Sequence, residues 1–262
     1  MSNIYFEKAV ELFKGFAEVD AITLGGSRAT GRYDAGSDYD TYIYLNRDLC
    51  TEKRRNALNQ VCKYMEIDNR YFEPEDDCVL SDGTGFEIIY RNIDDIRESL
   101  TNTLVNHIAW GGYTTCICFN VFTSKILYDP HGSYEKMVVD FTMPYPEELR
   151  RNIITKNREL LEGKIPSFFG QIEQAINRND INSINHRTTE FLACYFDILF
   201  ALNREFHPGE KRLLEYGAGL KLVPADFTSD LTELLTVNDK EEMPAVMRRI
   251  VDNIDALIAE FA

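Results

Sequence analysis

Residues 24–45 read LGGSRATGRYDAGSDYDTYIYL, and this stretch decides the fold. Ala21-Ile22-Thr23-Leu24 is a short β-type run that stops at Gly25-Gly26, and Tyr39 to Leu45 is a second, rich in Tyr, Thr and Ile. Between them lie a Gly-Gly-Ser turn, a short Arg-Ala-Thr-Gly segment and the acidic pair of Ser37-Asp38-Tyr39-Asp40. Gly25 and Gly26 carry no Cβ, so the backbone can turn sharply and bring its amides close to a ligand. If residues 27–31 form a helical turn, its free N–H groups and the Ser27 hydroxyl make an anion site suited to phosphate. Asp38 and Asp40 are two apart, which in a strand puts both carboxylates on one face, about 7 Å apart at Cα. Paired carboxylates suit a hard cation such as Mg²⁺, which takes phosphate oxygens and water as its remaining ligands. A phosphate cradle beside an acid pair points to phosphoryl or nucleotidyl transfer.

Working outward, Phe6, Val10, Phe13 and Phe16 mark an amphipathic N-terminal helix. Residues 51–65 read as a helix, Gly85 to Tyr90 as a strand, and Ile93 to His107 as a helix. Glu87 is a lone carboxylate in that apolar strand and the candidate third acid, as a metal ligand or as proton acceptor. After Tyr128 the strand signal vanishes, and helices are expected through about Leu161 and at about 166–178, 183–205 and 241–261. The fold class expected is α+β: a mixed sheet flanked by helices over residues 1–140, then an all-α bundle over 141–262.

The 262 residues carry 28 Lys+Arg against 43 Asp+Glu, a net charge of −15. That charge repels polyphosphate backbones, so no extended nucleic acid is expected, and small cationic ligands are favoured. No signal peptide and no stretch of 18 apolar residues is visible, so no membrane partner is expected. The six cysteines form no CxxC pair, and reduced thiols in a cytoplasmic protein are the expectation.

Gly26-Ser27, Gly31 and Ser37-Asp38-Tyr39-Asp40 resemble the GS…G…SDxD signature of the nucleotidyltransferase superfamily typified by DNA polymerase beta. That superfamily includes bacterial aminoglycoside and lincosamide nucleotidyltransferases. The resemblance implies ATP or another NTP as donor, two Mg²⁺ ions, and transfer of a nucleoside monophosphate to an acceptor hydroxyl with release of pyrophosphate. It implies Asp38 and Asp40 as ligands of both metals, Glu87 as ligand of the one that activates the acceptor, and Gly26 and Ser27 as triphosphate contacts. Arg28, Ser37 and Lys211 are further candidates for the nucleotide.

In the helical half, His186, Glu190 and Asp197 fall on one face of an apolar helix, to be turned to water or a cleft. Glu190 is a candidate for acceptor binding or proton transfer, and Asp197 for pairing with a cationic group. The acceptor expected is a small, hydroxylated, cationic compound of aminoglycoside or lincosamide type, with antibiotic resistance as one role. The alternatives are a protein adenylyltransferase of toxin–antitoxin type and a non-catalytic nucleotide-binding regulator. The oligomeric state stays open, a homodimer being one reading.

Overall fold

The computed structural model describes residues 3–261. The chain forms two compact units, the first from residues up to 100 together with 120–142, the second from residues 101–119 and 143 onward. Residues 101–119 therefore group with the carboxy-terminal helices.

In the first unit, helix α1 (Ile4–Lys14) precedes β1 (Val19–Leu24), a short α2 (Gly26–Thr30) and β2 (Tyr39–Leu45). Then come α3 (Thr51–Leu58), β3 (Cys62–Asn69), β4 (Glu75–Leu80), β5 (Gly85–Arg91) and α4 (Ile93–Leu100). Helix α5 (Cys116–Thr123) runs across the division, and β6 (Lys125–Tyr128) and α6 (Ser133–Phe141) complete the unit. The six strands make one sheet in the order β3-β4-β5-β2-β1-β6, with β2 and β5 parallel and the other neighbours antiparallel.

Alternation along the strands sorts their side chains between two faces. On one face Tyr39, Ile43, Phe86, Ile88 and Tyr90 pack with Phe6, Val10 and Phe13 of α1 and with Leu58. The Phe6 ring stacks on Tyr39 with centroids 4.0 Å apart. Asn3 caps α1, its Oδ1 accepting from the amides of Tyr5 and Phe6. On the opposite face Tyr44 is fully buried beneath Tyr134 of α6, at 4.9 Å between rings.

The region expected as one helix over 51–65 divides instead into α3 and the strand β3. Tyr64, Glu66 and Asp68 alternate outward on this edge strand and Lys63 is exposed beside a register irregularity, so the strand carries no apolar run to announce it. Strand β4 has the same character. Asp76 points into the core, on the face opposite to Glu75 and Asp77, its Oδ1 accepting from Arg54 Nη1 at 2.7 Å and from the Asp68 amide at 2.8 Å. Its Oδ2 accepts from the Tyr90 hydroxyl at 2.7 Å, and the Arg54 guanidinium lies 4.6 Å from the Tyr90 ring centroid. Asp76 is fully buried and the Arg54 side chain nearly so, and Arg54 Nη2 also donates to Asp68 Oδ1 at 3.0 Å, so the Asp76 charge depends on Arg54.

The second unit contains a π-helical turn (Thr101–Val105), then α7 (Glu147–Leu161), α8 (Phe168–Asn177), α9 (Ile181–Asn203), α10 (Leu213–Ala218), α11 (Phe227–Thr236), a 3₁₀ turn (Lys240–Glu242) and α12 (Met243–Phe261). Helix α9 is the centre, packed by α7 and α8, with α12 also against it. Phe191 and residues 193–202 are all buried. Among the described residues no helix is long and apolar enough to cross a membrane.

The expected outward stripe on α9 is corrected at Asp197. This carboxylate is buried and meets neutral donors instead of a cation: Thr114 donates from its amide at 3.1 Å and its hydroxyl at 2.7 Å, and Asn157 Nδ2 donates at 3.1 Å. Burial outweighs these bonds and raises Asp197 to about 7. Asn157 also donates to the Trp110 carbonyl and accepts from the Gly112 amide. The Trp110-Gly111-Gly112-Tyr113 segment is thus a loop clamped onto α7 and α9. Gly112 is required there, since its φ is +78° and a Cβ would stand 2.8 Å from that of Ala193.

His207 is also fully buried; its Nδ1 accepts from the Gly209 amide at 3.1 Å and burial lowers its pKa to about 4.

Two outcomes follow from these buried charges. Asp76→Ala leaves the buried Arg54 with only the more exposed Asp68 as partner, and loss of one partner of a buried pair costs about 3–5 kcal/mol. The first unit is expected to melt roughly 10–20 °C lower, as read by circular dichroism; an unchanged melting temperature would remove the pair from the core's support. For His207, the unfolded imidazole gains a proton near pH 6.5, whereas the folded one does so only near pH 4. Stability from this group is full above pH 6.5 and falls on acidification. His207→Gln is therefore expected to become progressively more stable relative to the parent as pH drops from 6.5 to 4, in denaturant titrations at each pH.

Candidate active site

The buried face of the sheet leaves its odd and even residues with opposite duties, and the second face collects acids. Asp40 on β2 is directly paired with Glu87 on the parallel neighbour β5. Glu87 is in turn paired with Asp77 on β4. Paired residues project to the same side of a sheet, and the two-residue repeat adds Asp38 beside Asp40 and Glu75 beside Asp77. Carboxylate oxygens of Asp38, Asp40 and Glu87 all lie within 4.8 Å of one another. A second group, Glu75, Asp77 and Glu87, meets the same limit.

The backbone around Asp38 and Asp40 is shaped to present them. Gly26 has φ +59°, and a Cβ there would come within 1.8 Å of Asp40 Oδ2. A side chain at 26 would therefore occupy the carboxylate's place, whereas glycine lets the backbone of α2 lie against it. Gly85 performs a similar service for Asp38, whose Cβ would stand 3.0 Å from a Cβ at 85. The Gly25 amide donates to the Asp40 carbonyl at 2.8 Å, tying the turn to the strand.

Arg28 lies in α2, and its guanidinium is engaged with the backbone of the acidic segment. Nε donates to the Asp38 carbonyl at 2.8 Å and Nη2 to the Ser37 carbonyl at 2.5 Å. The same group lies 4.0 Å from the Tyr39 ring centroid. Its contacts make it a positioning residue for Asp38. The Ser37 hydroxyl closes a turn with Asp34, accepting from the Asp34 amide at 2.9 Å. Ser27 is half-buried in the first turn of α2. Glu190 is half-buried on α9 and Lys211 exposed just ahead of α10, both in the second unit and neither in the carboxylate groups of the first.

The electrostatics of this face are those of concentrated negative charge. Burial is the largest cause that raises Glu87 to about 7, followed by the charges of Asp40, Glu75, Asp77 and Asp38. Glu73, two residues before Glu75, is gripped by Arg91 in two-pronged fashion from Nε at 2.8 Å and Nη2 at 2.7 Å. Arg91 also covers the Tyr42 ring at 4.1 Å and donates to Asn120. The donor set of Asp38, Asp40 and Glu87 consists of hard anionic oxygens at separations a single cation can bridge, and so fits Mg²⁺ or a similar dication.

Glu75 and Asp77 were not among the residues expected in the site. The signal for them is faint: Glu73-Pro74-Glu75-Asp76-Asp77 reads as a charged loop. Only the inward alternation of Asp76, Cys78 and Leu80 marks a strand.

Residues 5–101 match the family described as the nucleotidyltransferase domain. Residues 113–213 match a family described as a domain of unknown function, DUF4037. Among solved structures, the chain is similar to a nucleotidyltransferase-like protein from Exiguobacterium sibiricum, at 11% identity and a TM-score of 0.43, over 98% of this chain and 72% of that one. It is also similar to an aminoglycoside 6-adenyltransferase from Bacillus subtilis, at 11% identity and a TM-score of 0.33, over 99% of this chain and 92% of that one. Likenesses this loose carry no weight for fold or substrate. No curated protein matches the chain. The domain match runs from α1 through α4 and contains the turn at Gly26, the acids Asp38 and Asp40 and the strand of Glu87. The match to the nucleotidyltransferase domain thus covers the part of the chain, residues 5–101, that carries the three converging carboxylates.

Proposed function

We propose that this protein transfers a nucleoside monophosphate, AMP from ATP, to a hydroxyl of a small cationic acceptor and releases pyrophosphate. The observation that carries the reading is the convergence of Asp38, Asp40 and Glu87 within 4.8 Å, on a face where Gly26 lies against Asp40. These three carboxylates would hold Mg²⁺. When bound, the metal supplies positive charge to the triphosphate and lowers the pKa of a coordinated hydroxyl.

The chain's own residues supply position. Arg28 holds the carbonyls of Ser37 and Asp38, so the Asp38 side chain leaves a fixed backbone. Gly26 and Ser27 offer the close backbone approach and hydroxyl that a triphosphate needs. Glu87 sits at the middle of the acid row and serves as ligand. Glu190 and Lys211 enter the proposal as contacts for the acceptor and the triphosphate. The acceptor class is supported by charge: a net −15, with five carboxylates on one sheet face, draws a cationic compound and repels a polynucleotide.

Chemistry of this kind depends on positioned charge, and loss of one metal carboxylate is expected to cost on the order of 10²-fold or more in rate. Asp38→Asn and Asp40→Asn should each lose Mg²⁺-dependent pyrophosphate release while keeping the parent's circular dichroism. Folded variants with full turnover would refute the assignment. The acceptor is tested by incubating the protein with ATP, Mg²⁺ and a panel of hydroxylated amines, followed by mass spectrometry. The result expected is one added nucleoside monophosphate on a small amine; modification of proteins in a lysate, with none on the panel, would favour a protein acceptor.

Gly26→Ala provides a separate check on the geometry. The exposed position leaves the core untouched, but the added methyl collides with Asp40 Oδ2. Pyrophosphate release is expected to fall as far as in Asp40→Asn. Activity near that of the parent would show that the turn does not position Asp40.

A further inference from the structure

The acid row does not end at Glu87. Two residues beyond Glu73, which Arg91 neutralises, Glu75 is 6% exposed and takes no ion pair or donated hydrogen bond among the described residues. Its carboxylate nevertheless lies within 4.8 Å of those of Asp77 and Glu87. A carboxylate in a recess without a counter-charge is unfavourable, and this one is aimed at two further anions. Among the described residues no Lys or Arg forms an ion pair with any of the three acids where they converge.

Asp77 is set up to receive one. Asn69 Nδ2 donates to Asp77 Oδ2 at 2.8 Å, and Asn69 Oδ1 is itself fixed by the Tyr71 amide at 3.1 Å. The bond orients the carboxylate and leaves its other oxygen free, as is usual for ligands held by an outer partner. The three acids come from two adjacent antiparallel strands, with Asp77 directly opposite Glu87, so their spacing is fixed by the sheet.

We propose that Glu75, Asp77 and Glu87 form a second divalent-cation site, separate from the Asp38–Asp40–Glu87 group and joined to it through the shared Glu87. The charge argues for a dication: a monovalent ammonium would leave two of three negative charges uncompensated, a divalent ion only one. The all-oxygen donor set selects Mg²⁺, Mn²⁺ or Ca²⁺ over softer metals. A carboxylate common to two cations is a recurrent way of holding metal ions side by side. The proposal shares Glu87 with the transfer reaction, but it stands on strand β4 and does not require that reaction.

The test uses the full chain, without nucleotide, titrated with Mn²⁺ alone and followed by the electron paramagnetic resonance of the free ion. Glu75→Gln and Asp77→Asn are each expected to lose one Mn²⁺ or to bind it at least tenfold more weakly. Asp77→Asn, at a half-exposed position, decides the matter if Glu75→Gln does not fold. The double variant Asp40→Asn with Glu75→Gln should bind one ion fewer than Asp40→Asn. Mn²⁺ should also raise the melting temperature of the parent more than that of either β4 variant. Parent-like number and affinity in both β4 variants, or equal numbers in the double variant and Asp40→Asn, would overturn the site. Failure of the transfer chemistry is read separately, in pyrophosphate release by the parent and by Asp40→Asn.

Discussion

Like charges held close in a half-buried place repel, and a soft backbone would let them drift apart. The first unit resists this by mounting its acids on hydrogen-bonded neighbours. Asp40, Glu87 and Asp77 occupy directly opposed positions on β2, β5 and β4, so the ladders set their separation at the strand spacing of ~4.8 Å. The parallel pairing of β2 with β5 is central: it brings the end of a glycine turn beside a strand that arrives much later in the chain. A slip of one residue in either ladder would send the acids into the core and the core residues to the face. The packing of Phe6, Tyr39 and Phe86 on the reverse side guards against that slip, so the apolar layer and the acid row are two consequences of one register.

Charge is managed differently at each depth of this fold. Asp76, fully buried on the core side, is matched by Arg54 and Tyr90. Asp197, in the second unit, is buried against neutral donors and drifts toward its protonated form. Glu73 is clasped by Arg91. Glu75 has none of these remedies, and it stands next to Asp77 and Glu87. The distinction between structural and functional acids thus comes from their partners and not from their burial.

The parts legible in sequence were local ones. Residues 24–45 announce a strand, a turn and a second strand because the relevant glycines and acids are consecutive, and the Phe6–Phe13 stripe announces α1. Glu87 stands out as a charge inside an apolar run. Strands β3 and β4 were hidden, since an edge strand with Lys63, Glu66 and Asp68 outward has no hydrophobic signature, and its pairing with residues 75–80 is a property of the sheet. Glu75 and Asp77 were invisible for the same reason. Asp197 misled because helical spacing gives a face but not what packs on it; the donors come from Thr114 and Asn157, 83 and 40 residues away.

The grip of Arg28 on the carbonyls of Ser37 and Asp38 has a consequence for binding. Those bonds are made within the chain itself, so the shape of the acidic segment is set by the protein, and an ion bound there need not spend its affinity on fixing a loop. What it meets is a set of carboxylates already assembled against their mutual repulsion. Relief of that repulsion adds to the attraction between ion and ligand, so the closeness that the sheet imposes on its acids becomes part of the free energy of capture.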